Sequence, residues 1–190
     1  MNREALHLLA RRSAIVVILT LASIALHECG HFLVYKIAGY PVQITLQSVQ
    51  PIGYVNPRLN HVALAAGPAF SLIAGVSCLL IARRRPSFVW ATAAFTNATL
   101  RIFPLTMDLL RAIKGAKPFS DEGNVAIAMT TLPGGRATLV LGMMAIFVCL
   151  SVIAARRYHF EKHQVAKSVA IYLLSLSVGI AVVIVDELLK

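Results

Sequence analysis

The sequence predicts an all-α, polytopic membrane protein with about five transmembrane helices and a short surface hairpin or loop after the first. Three observations predict it. Hydrophobic residues make up 58% of the 190 positions and charged residues only 14%, a balance far from that of a soluble domain. Apolar stretches recur at the length that a hydrocarbon core of about 30 Å demands of a helix. The positive charges gather at the ends of those stretches instead of along one polar face.

In chain order, the expected spans are 13–35, 62–82, 87–107, 137–155 and 166–185. Arg11 and Arg12 precede the first, which is read as a membrane helix and not a signal peptide because no small-residue cleavage site follows its apolar core. After it, "YPVQITLQSVQPIGYV" alternates apolar and polar residues, the pattern of a short hairpin or edge strand at the membrane surface. The second span ends at Arg83, Arg84 and Arg85. The third is interrupted by Asn97, Arg101 and Pro104; an interior proline removes a backbone hydrogen bond, a loss tolerated where neighbouring helices or a watery cavity satisfy the backbone. Arg156, Arg157, Lys162 and Lys167 lie between the last two spans.

The positive-inside rule assigns these basic clusters, and with them the N-terminus, to the cytoplasmic side. The formal charge of +10 therefore reflects topology, and the expected partner is the lipid bilayer, not nucleic acid. A short chain without a eukaryotic targeting segment suits a multi-pass protein of a prokaryotic cell membrane. The whole of 1–190 reads as one membrane domain, with two additional helices over 135–190. Cys29, Cys78 and Cys149 show no paired spacing and are expected to be small buried apolar side chains. His7, His159 and His163 sit in polar, basic segments and read as solvated, and His61 as interfacial.

Within the first span stands "LHECGHFLVYK", residues 26–36. His27 and His31 are four residues apart, so a helix stacks them on one face, within reach of one metal ion. Glu28 follows the first histidine and can reach a water on that ion. This is the H-E-x-x-H arrangement of zinc metalloproteases, in which two imidazoles hold the metal and the carboxylate is the general base. Ionisable groups inside a membrane are costly, and metal binding lowers that cost where three unpaired groups would have no compensation.

"HECGHFLVYKIAG" resembles the first signature of the site-two protease family of intramembrane zinc metalloproteases, and "AAGPAFSLIAG", residues 65–75, resembles that family's Gly-Pro segment, with Ser71 where many members carry asparagine. A catalytic zinc ordinarily takes three protein ligands and keeps one position open. The resemblance implies that the third is an aspartate from a distant membrane-embedded segment. Asp108, after Asn97 and Pro104, is one candidate; Asp121 in "FSDEGNVAIAM" is the favoured one, since Asp-Glu-Gly resembles the aspartate motif of small relatives. The same residues have structural uses: Asp108 as a charge partner for Arg101, seven positions earlier, and Asp121 as a helix cap. Counting crossings places 27–31 and 108–122 on the same side of the membrane, as a shared site requires.

The expectation is an intramembrane zinc metalloendopeptidase with its core over 13–125. One zinc ion would be held by His27, His31 and Asp121, with Glu28 as catalytic base. Its substrate would be a membrane protein cleaved in or near a transmembrane segment and held by pairing along the 41–55 segment. Arg101 and Asn97 are possible oxyanion donors. The alternative is a zinc-binding but catalytically silent membrane protein acting as an accessory or docking subunit, and a metal transporter is a third reading.

Overall fold

In the computed structural model, residues 3–132, 134–157 and 164–189 are described. Their elements run α1 (Arg3–Ile37), β1 (Val42–Ile44), β2 (Val49–Pro51), α2 (Pro57–Arg84), α3 (Phe88–Thr99), α4 (Ile102–Ile113), α5 (Asp121–Met129), α6 (Gly135–Arg157) and α7 (Gln164–Leu188). The starts are written in the sequence. Asn56 caps α2 by accepting from the Arg58 amide at 2.9 Å, with Pro57 at the first helical position, and Ser87 caps α3 through the Val89 amide at 3.3 Å.

Four of these helices, α1, α2, α6 and α7, are long and apolar enough to cross a membrane. The expected third span is corrected. Residues 87–107 do not form one helix; the chain breaks at Leu100 and Arg101 into the short helices α3 and α4. Pro104 explains the break, because it has no amide hydrogen for the Leu100 carbonyl and is tolerated only within the first turn of a new helix.

The interior is more polar than the exterior. Thr20, Ser23, Thr92, Thr96, Asn97 and Ser175 are buried, whereas Ile18, Leu21, Ile73, Leu80, Ile146 and Val183 are exposed. Such an arrangement suits hydrocarbon outside and satisfied polar groups inside. Several buried hydroxyls have partners: Thr20 donates to Ser175 at 3.1 Å, tying α1 to α7, and Thr96 and Thr99 donate to carbonyls of their own helix. α3 is the central element. Every residue from Ala91 to Thr99 is buried, and α1, α2 and α6 pack around it. α7 packs along α1. The expectation of buried cysteines is corrected: Cys29 and Cys149 are exposed and Cys78 is half-buried, as apolar side chains facing hydrocarbon can be. The expected basic turn with His159, Lys162 and His163 lies outside the described residues.

The expected surface hairpin is present as a two-stranded antiparallel sheet pairing Val42 with Pro51, Gln43 with Gln50 and Ile44 with Val49. Val49 packs with Tyr35 and Ala63, which seats the hairpin over the end of α1 and the start of α2. Its turn is tethered to α7, where the Asp186 carboxylate accepts from the Leu46 amide at 2.7 Å.

Candidate metal centre

His27 and His31 are both buried on the face of α1 that meets α2. The helices approach closely there because the contact is built from small residues. A side chain on Gly30 would put its Cβ 2.5 Å from the Ala66 carbonyl oxygen, and one on Gly67 would strike both imidazole rings. Pro68 leaves the Leu64 carbonyl without its helical donor. In the same turn the Ala63 carbonyl accepts from His31 Nδ1 at 2.7 Å. Ser71 Oγ lies 3.2 Å from His27 Nδ1. The Gly-Pro segment thus does more than pack: it orients both rings, and Ser71 takes part directly.

Both Nε2 atoms then face one point. They are 3.2 Å apart, and Asp121 Oδ2 lies 3.2 Å from His27 Nε2 and 3.1 Å from His31 Nε2. A tetrahedral ion with bonds of about 2.0–2.1 Å sets its ligand atoms roughly 3.3 Å apart, so the spacing fits zinc. The protonation pattern fits too. A carbonyl only accepts, so His31 Nδ1 carries the ring hydrogen of the neutral form and its Nε2 presents a lone pair to Asp121 and His27. One cation among the three atoms satisfies all of them. Burial pushes the Asp121 carboxyl upward, but hydrogen bonding to His27 and His31 overrides it and holds the group below the ordinary carboxylate range. Glu28 stands beside this set, with a carboxylate oxygen within 4.8 Å of the ring nitrogens, and lies near the Val49 backbone amide of β2.

The two aspartates part company. Asp121 is the first residue of α5, whose cap is Ser120, so it faces the histidines from a helix N-terminus. Asp108 is fully buried, accepts from the amide of Phe119 at 2.6 Å and from the Ser120 hydroxyl, and meets Arg136 at 3.8 Å. It fastens the segment that delivers Asp121. Gly123 makes room for it, since any side chain there would collide with the Asp108 carboxylate. Arg101 is not paired with Asp108. Its Nη1 lies 3.2 Å from His27 Nε2 and 3.8 Å from Glu122, a contact that sequence separation gave no means of finding. Burial raises the Glu122 carboxyl, opposed by the Arg101 charge.

Two cavities, of about 260 and 330 Å³, adjoin the site, and Glu28, Gln47 and Asp121 line both. The smaller has an apolar wall from α7, including Leu176, Ile180 and Val183, and Arg101 also lines it. The larger is polar, bounded by Tyr35, Ser48, Gln50 and Asn60. Asn97 is elsewhere, donating to the Ala93 carbonyl at 2.8 Å, and His61 is exposed. No protein-family model, curated protein or solved structure matches this chain, so its chemistry is read from the arrangement of its own side chains.

Proposed function

We propose that this protein is an intramembrane zinc metalloendopeptidase of the site-two protease kind, acting on membrane proteins in or near their transmembrane segments in a prokaryotic cell membrane. The observation that carries the reading is the convergence of His27 Nε2, His31 Nε2 and Asp121 Oδ2 within 3.2 Å of one another, with a carboxylate alongside, on helices that suit a bilayer. His27, His31 and Asp121 would hold the ion. Zinc in that place supplies Lewis acidity, which lowers the pKa of a water and polarises a carbonyl. Glu28 accepts the proton of the attacking water and returns it to the departing amine. The Val49 amide and the helix fix the Glu28 carboxylate for that task. The polar cavity gives water a route to the site, and the apolar cavity gives an unwound substrate segment room.

The test is zinc per chain in detergent-purified protein, paired with cleavage of a panel of fluorogenic transmembrane peptides. Wild type should hold about one zinc and cleave. Glu28→Gln should keep the zinc and lose cleavage by about 10²- to 10⁴-fold. Zinc binding with cleavage that is indifferent to Glu28, or absent throughout, would instead support the silent accessory subunit.

A further inference from the structure

Arg101 is an unusual residue to find beside a cation site. Its side chain is only 15% exposed, and it reaches the interior because the chain breaks between α3 and α4 at that position. Burying a guanidinium inside a membrane protein is costly, and such groups are paired or functional. Here Glu122 is 3.8 Å away, beyond hydrogen-bond length, and the only described hydrogen-bond partner is His27 Nε2. That atom is also the one a metal requires. When an ion takes the His27 lone pair, Arg101 gives up the contact, and most of its five N–H donors are left for whatever occupies the cavity it lines.

Charge decides what that occupant is. A divalent ion and a guanidinium side by side repel each other unless negative charge lies close to both. The carboxyl groups of Asp121, Glu28 and Glu122 are the acidic groups nearest to them. A further negative charge appears only during reaction, on the oxygen of a carbonyl under attack, and preorganised donors at such a place are a large term in catalysis.

We infer that Arg101 is a catalytic residue that donates to the carbonyl oxygen of the scissile bond as it becomes an oxyanion, and that Glu122 is the positioning residue holding the guanidinium at the cavity. The step balances. The water oxygen forms a bond to the carbonyl carbon, the carbonyl π pair moves onto its oxygen facing Arg101, and Glu28 takes the water proton. On collapse the C–N bond breaks and the nitrogen receives that proton. This inference rests on the peptidase reading, and the experiment separates the two.

Zinc content is measured for wild type, Arg101→Met, Arg101→Lys and Glu122→Gln. Each is then titrated with a phosphinic dipeptide, whose tetrahedral phosphorus carries anionic oxygens, and with acetohydroxamate, a small chelator lacking that centre. Arg101→Met should keep about one zinc, lose about 10²-fold in affinity for the phosphinate and change little toward acetohydroxamate. Arg101→Lys should lie between, because it keeps the charge without the fork, and Glu122→Gln should weaken phosphinate binding less than Arg101→Met. Equal phosphinate affinity in wild type and Arg101→Met, both zinc-loaded, overturns the role of Arg101 and leaves the peptidase reading standing. Should Arg101→Met lose its zinc, Arg101→Lys decides: zinc retained with wild-type phosphinate affinity again overturns it. A wild type that takes up no zinc removes the peptidase reading and this inference together.

Discussion

At the scale of residues, the candidate metal centre is a set of side chains each held near a second group. His27 leans on Ser71, His31 on Ala63, Glu28 on Val49, and Asp121 on a segment fastened by Asp108. The two aspartates therefore make opposite predictions. Asp121→Asn should abolish zinc retention with little loss of fold. Asp108→Ala should lower the denaturation midpoint, because it removes the carboxylate facing the half-buried Arg136 and leaves the Phe119 and Ser120 amides without their acceptor, a cost of about 1–3 kcal/mol. The motif His27, Glu28 and His31 was legible because helix periodicity alone brings positions four apart together. Choosing between Asp108 and Asp121 needed the fold, since each had a credible structural use. The Arg101–Glu122 contact was not legible: the nearest carboxylate by helical spacing was Asp108, and nothing local reveals that α5 swings Glu122 opposite the break.

Among elements, the contact between α1 and α2 does most to shape the site. Gly67→Ala should displace both imidazoles and empty the site of zinc while the protein still folds, whereas Gly30→Ala should push the helices apart at the Ala66 carbonyl and cost about 1–3 kcal/mol. Zinc stoichiometry beside thermal melting distinguishes the two. The hairpin was visible in its alternating pattern, but its role shifts on inspection. Thr45 donates to Ser48 and Ile52 to Pro41, so by the alternation of an antiparallel ladder Val49 and Pro51 face outward from β2. The Val49 amide faces Glu28 and proline has none, so this edge offers a substrate strand acceptors but few donors. Val49→Pro should accordingly reduce turnover through Glu28 and leave zinc content unchanged. The broken third span was only half legible: Pro104 marked an interruption, but the new helix start that it imposes became clear from the coordinates.

Considered whole, the molecule puts its ligands on two elements, α1 and α5, that have no extensive contact of their own. An ion there is a cross-link. Zinc should raise the unfolding midpoint of wild type, with a stabilisation of about 2.7 kcal/mol at a hundredfold excess over Kd, and a chelator should reverse it. His31→Ala should show neither change. Four of the five expected spans, those of α1, α2, α6 and α7, followed from hydropathy. Which helices touch did not, because apolar surfaces facing lipid and apolar surfaces facing another helix look alike in sequence.

The tether between Leu46 and Asp186 joins positions 140 residues apart. All three candidate ligands leave the ribosome well before α7 does, yet α7 supplies the wall of the apolar cavity and the anchor of the hairpin. A nascent chain thus completes its metal-binding set while the chamber around it is still open to lipid. Biogenesis itself sets the order, with metal capture possible first and enclosure arriving only when α7 has inserted beside α1.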